Sequence, residues 1–229
     1  MIRETRRNRG RKGQELIEFS LTALLLAGLL VSSFVVGMNL IRSIQVNQSC
    51  RDVANMYIHG ADFSTYPMQQ LTQRLATGLD LEIGTTFTGN SATNTSNQGN
   101  VLVTLSRVMY IGATTDPNCA SVGAGKCTNA NSFVFTQRIQ FGNGTLANTK
   151  PSTLGNPSAT AISTAGVIAN PVTDAGAKLP TGAQASFATL WRTPLQDGQI
   201  CYVAEFYAQS PDLNLGSFLG GGVYARSFF

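Results

Sequence analysis

The sequence predicts an α+β protein: a long N-terminal membrane helix packed at its outer end on a small antiparallel β-sheet head. Three observations carry this expectation. Residues 19–41, "FSLTALLLAGLLVSSFVVGMNLI", hold no formal charge. Helical spacing of apolar residues then continues to about residue 59. Beyond it, four segments rich in β-branched and aromatic residues show partial alternation, the pattern of half-buried strands.

The apolar run comes first in the argument. As a helix it spans about 34 Å, enough to cross a hydrocarbon core with slight tilt. It is too long for the core of a cleaved secretory signal, and its small residues Ala23, Ala27 and Gly28 sit mid-run rather than after it. Residues 1–13 form a basic leader with Arg3, Arg6, Arg7, Arg9, Arg11 and Lys12 against one acid, Glu4. An excess of basic residues on one flank places that flank in the cytoplasm and the rest of the chain outside. The net charge of +4 is a property of this leader. Without it, 10 Lys+Arg face 11 Asp+Glu, and no other basic cluster exists, so no nucleic-acid partner is expected.

Past the anchor, "RSIQVNQSCRDVANMYIHG" keeps helical spacing, with Ile44, Val53, Met56 and Tyr57 on one broad stripe and Gly60 as the stop. One helix over residues 14–60 is therefore expected. "YPMQQLTQRLATG" reads as a short helix, with Pro67 in its first turn and Gly78 at its end. Residues 61–229 form the exported β-rich head, with strands at 101–113, 132–142, 199–209 and 222–229. "TTFTGNSATNTSNQGN" reads as a loop. Residues 143–186, dominated by Ser, Thr, Ala, Gly, Asn and Pro, read as an exposed excursion; Leu146, Leu154, Val167, Ile168 and Val172 are too few to form a core alone.

The four cysteines suit an oxidising compartment. Cys119 and Cys127 bracket a Gly-rich loop that a local disulfide would close. Cys50 and Cys201 would then form a long-range bridge, although four cysteines allow three pairings. Zinc is disfavoured, since no CxxC pair exists and His59 is the only histidine. Catalytic signatures fail when checked. "ASVGAGKCT" has Ala120 where a phosphate loop needs Gly and Cys127 where it needs Ser or Thr. No G-x-S-x-G elbow is present. Asp116-Pro117 and Asp197-Gly198 are turn signals without an alternating acidic ligand loop. Neither enzymatic activity, nor a cofactor, nor a metal is expected.

The stretch "RKG|QELIEFSLTALLL" resembles a type IV prepilin processing site, and more narrowly the TadE-like family of pilin-like proteins in tight-adherence pilus systems. Gly13, Ile17, Glu18, Phe19, Ser20 and Leu21 match the family pattern position by position. The resemblance covers residues 11–41. It implies cleavage by a prepilin peptidase between Gly13 and Gln14, which makes Glu18 the fifth mature residue. It implies that Glu18 neutralises the new Gln14 amine of a neighbouring subunit, and that Leu16, Ile17, Phe19 and Leu21 pack helix on helix. Glycine before the cut allows close approach of a peptidase to the backbone. The sequence departs from the pattern in lacking Phe at position 14, in having no Pro in the apolar run, and in its large head.

The resemblance therefore implies a non-enzymatic pilin-like subunit: a minor pilin, a pseudopilin or a decorated pilin. Its partners would be the peptidase, other pilin subunits and an inner-membrane assembly platform. Its place would be the inner membrane, and the cell surface or an extracellular filament once assembled. The rival expectations are a type II secretion pseudopilin and a signal-anchored extracytoplasmic binding domain.

Overall fold

The computed structural model describes residues 4–189, 195–209 and 222–229, with side chains from residue 13 onward. The chain divides into two compact units at Arg42/Ser43. One helix, α1 (Glu4–Ile58), contributes to both. It starts ten residues upstream of the expected Gln14, because the leader is composed of good helix formers whose only breakers are Gly10 and Gly13. It ends as expected. Gly60 adopts φ 87°, its N–H bonds Tyr57 O at 3.1 Å, and Ala61 N–H bonds Met56 O at 3.0 Å. This pair of bonds is a Schellman cap, which requires the left-handed residue that glycine supplies.

The second unit is α+β. Helix α2 (Tyr66–Leu75) follows, with Pro67 in its first turn, and a 3-10 turn at Thr77–Leu79. The strands are β1 (Thr93–Ser96), β2 (Val101–Ile111), β3 (Ser132–Asn143), β4 (Ile200–Ala208) and β5 (Val223–Phe228), in the order β1-β3-β2-β4-β5. Short helices α3 (Pro117–Ser121), α4 (Gly144–Thr149) and α5 (Thr181–Thr189) lie in the connections. The sheet is mixed rather than antiparallel: β1 pairs with β3 in parallel, Thr93 opposite Gln140 to Ser96 opposite Asn143. This strand falls inside the segment expected to be a loop. No apolar alternation marks it, since it is held by backbone pairing and by the Asn94 amide, which donates to Gln69 Oε1 at 2.6 Å.

One sheet face carries Val101, Val103, Leu105, Ile139, Phe141, Ala204 and Phe206, all at most 1% exposed. Against it lie Val46, Cys50, Val53, Ala54 and Tyr57 of α1. Their spacing of three and four residues is one helical stripe, and it anchors the outer end of α1 in the core. The other face carries Val108, Phe133, Phe135, Cys201 and Val203. A bulge at Arg107/Val108, where Gln137 and Phe135 flank an unmatched Thr136, brings Phe135 to this face.

The excursion at 143–186 covers that second face. Leu146, Leu154 and Ile168 are 2–4% exposed, and Leu154, Ile168, Ala177, Leu179, Ala183 and Phe187 pack with the sheet residues. The segment is exposed over much of its length, as expected, but its apolar residues are turned into the core. Its scattered apolar residues need no core of their own because the sheet supplies the other half. Each buried leucine or phenylalanine contributes about 1.5–3 kcal/mol.

The same alternation corrects the long-range bridge. Cys119 and Cys127 are bonded, with Cα atoms 5.1 Å apart, but Cys50 and Cys201 are free, buried thiols. Cys50 Sγ lies 3.4 Å from Ala204 O, on the α1 side. Cys201 is three positions earlier on β4 and belongs to the opposite face, so the sheet itself separates the two sulfurs.

Candidate functional site along the uncovered helix

Every side chain from residue 13 to residue 34 is exposed. Leu16 is 71%, Ile17 63%, Phe19 76% and Leu21 68% exposed, so the residues expected to pack have no cover among the described residues. A run this apolar on all sides cannot stay in water. It belongs in a bilayer or against other apolar helices. The helix is long and apolar enough to cross a membrane. Three of its hydroxyls are satisfied internally: Thr22 Oγ1 donates to Glu18 O at 2.8 Å, Ser32 Oγ to Gly28 O at 2.7 Å and Ser33 Oγ to Leu30 O at 2.9 Å. Such back-bonding removes the cost of carrying hydroxyls into hydrocarbon.

Gly13, Gln14 and Glu18 lie on this same helix. A Cβ on Gly13 would meet no atom within 4 Å, so the glycine is sterically open although helical. Gln14 and Glu18 are four residues apart and hence neighbours on one helix face. Among the described residues, nothing donates a hydrogen bond to the Glu18 side chain. In the untrimmed chain Glu18 lies well inside α1, beyond the reach of the positive helix end. Removal of residues 1–13 would put it one turn from the helix start, on the same face as a new α-amine. Favourable electrostatics at Glu18 are therefore a property of the trimmed chain.

The head offers little reactive chemistry. His59 is exposed, with Nδ1 2.7 Å from Asn55 O. No three His, Cys, Asp or Glu side chains converge on a metal-sized site among the described residues. The two aspartate turns act as clamps. Asp197 accepts from Gly112 N–H at 2.8 Å and Asn118 N–H at 2.9 Å, and Asp116 from Ala113 N–H at 2.7 Å. Burial pushes the Asp197 carboxyl up, but the Gly112 and Asn118 hydrogen bonds outweigh it and hold the group below its ordinary value. Burial raises both free thiols, Cys201 to about 11. They are poor nucleophiles.

One cluster has no signature in the sequence. Arg138 (8% exposed) and Glu205 (3%) face each other at 3.6 Å on the excursion side of the sheet. Arg138 also donates to Ser106 Oγ at 2.5 Å and, through Nη2, to Gly155 O and Asn156 Oδ1, both at 2.9 Å. Glu205 accepts from Tyr224 at 2.5 Å, from Thr153 at 2.9 Å and from the Ser152 hydroxyl. The pair ties the 152–156 loop to the sheet. The only available signal was a charge at an alternating position in an otherwise apolar strand.

No family model, curated protein or solved structure matches this chain.

Proposed function

We propose that this chain is a pilin-like structural subunit, trimmed after Gly13 by a prepilin peptidase and assembled through its N-terminal helix into a type IV or Tad-type filament. A minor pilin, a pseudopilin or a decorated pilin all fit this reading; the head is built for display or contact and needs no catalysis. One observation carries it: a charge-free helix surface without cover among the described residues, preceded by a basic leader and bearing Glu18 at its lip. A carboxylate there is costly in a lone subunit and useful where a neighbour's amine neutralises it. The expected sequence of events is export with the leader inside, cleavage between Gly13 and Gln14, then lateral association of the 16–41 segments.

Intact mass and N-terminal sequencing of the protein from native membranes or sheared filaments test the reading. A chain beginning at Gln14 supports it, and Glu18→Ala should then leave membrane levels intact while abolishing filament incorporation. A chain retaining residues 1–13 refutes it in favour of a signal-anchored extracytoplasmic domain.

A further inference from the structure

The part of α1 that packs on the sheet carries a second stripe beside the apolar one. Gln48, Ser49 and Asp52 follow Gln45 by three, four and seven residues, so the four share one face of the helix. They line a cleft of about 140 Å³ whose other wall is the carboxyl end of α2 and the turn after it, with Leu75 and Gly78. All of these residues lie in the second unit of the chain. Gly78 lacks the Cβ that would stand 3.3 Å from Gln45 Nε2, which leaves the amide its place at the cleft wall.

None of the four polar side chains has a hydrogen-bond or ion-pair partner among the described residues. Ser49 is the telling case. It is 8% exposed, yet it does not return its hydroxyl to the preceding turn as Ser32 and Ser33 do. A polar group withdrawn from water without a partner costs free energy, so its presence calls for an explanation. A ligand entering the cleft supplies one.

The lining sets the chemistry of that ligand. It holds one acid, Asp52, and no base. The two glutamine oxygens, the Ser49 hydroxyl and the Asp52 carboxylate are all acceptors, and the carbonyl end of α2 adds negative potential. One water needs about 10–15 Å³ in the same measure, so a group of several heavy atoms fits. A guanidinium meets these conditions: it is planar, permanently charged and weakly hydrated, with five N–H donors for acceptors set apart along a wall. An ammonium offers three donors from a single point, and calcium takes six to eight oxygens, commonly with several carboxylates.

We infer that the cleft between α1 and the end of α2 binds a guanidinium group, anchored by Ser49 and Asp52, with the Gln45 and Gln48 amides as further acceptors. The group is carried by an arginine of another polypeptide or by a free guanidinium compound. The inference does not depend on the filament reading, since all four residues remain whether or not the leader is removed.

The full chain, isotope-labelled for NMR in detergent micelles, provides the test. N-acetyl-arginine amide stands for an arginine within a polypeptide, free arginine for a small molecule, and N-acetyl-citrulline amide is the uncharged isostere. The expected result is a saturable shift of the Gln45 and Gln48 side-chain amide resonances with the arginine compounds and none with the citrulline compound. Ser49→Ala should weaken binding about two- to tenfold and Asp52→Asn about fivefold. Asn47→Ala, on an exposed position of α1 outside the cleft, should leave binding unchanged. Free arginine binding the tighter assigns the group to a small molecule; otherwise it belongs to a polypeptide. Absence of a saturable shift overturns the inference, as does equal binding of the citrulline compound. Affinity unchanged in both Ser49→Ala and Asp52→Asn also overturns it, and a response to calcium alone overturns it in favour of a metal.

Discussion

Replacing Arg138 by Met probes the one buried ion pair among the described residues. Arg138 and Glu205 are 8% and 3% exposed, so the pair is not the solvated surface kind worth at most about 1 kcal/mol. Removing the guanidinium leaves Glu205, opposite Thr104 on β2, as a buried carboxylate without its cation, a situation that typically costs about 3–5 kcal/mol. Three hydroxyl donors, from Ser152, Thr153 and Tyr224, remain on the carboxylate and should hold the loss near the lower end. The substitution also removes the bonds from Arg138 to Gly155 O and Asn156. Hence an Arg138→Met chain should unfold about 3 kcal/mol more easily in urea, with faster amide exchange around residues 152–156 than around β2. Glu205→Gln should cost less, about 1–2 kcal/mol, because the amide still accepts from the hydroxyls and Arg138 keeps its three other acceptors. A loss below about 1 kcal/mol for Arg138→Met, or equal losses for the two variants, would show that water reaches the pair and that this reasoning fails.

Two further outcomes follow from the head. The oxidised protein should show no thiol reacting with a bulky disulfide reagent while folded and two thiols, Cys50 and Cys201, when unfolded; reduction should change the mass by one disulfide, and finding two refutes the assignment of opposite faces. Asp197, whose folded-state pKa is depressed, should add stability above the ordinary carboxyl range that disappears as pH falls through the folded value. Asp197→Asn should accordingly lose more stability at neutral pH than in acid below the folded-state value, measured by denaturant unfolding; an equal loss at both would mean the carboxylate charge is irrelevant.

The apolar run, the terminal Gly60, the short helix after Pro67 and four of the five strands follow from residue order alone. Each depends on local periodicity or on a backbone position that only a few residue types fill. The uncovered surface of residues 13–34 is likewise legible, because it is a property of composition rather than of packing. The candidate processing residues Gly13, Gln14 and Glu18 form a linear motif, which needs no fold to be recognised. Tertiary structure decided what depends on two distant segments meeting. Strand β1 exists because β3 offers it an edge and Asn94 finds Gln69. The apolar residues of the 143–186 excursion are buried because the sheet supplies their missing apolar half. Cys50 and Cys201 stay apart because α1 packs on one face of the sheet while Cys201, on β4, belongs to the other. Arg138 and Glu205 meet because the strands carrying them flank β2, and Gln69 of α2 is buried because Phe63 O, Ser91 O and Asn94 satisfy its amide. Periodicity reports which side of an element is apolar; only the assembled neighbours decide which side is buried.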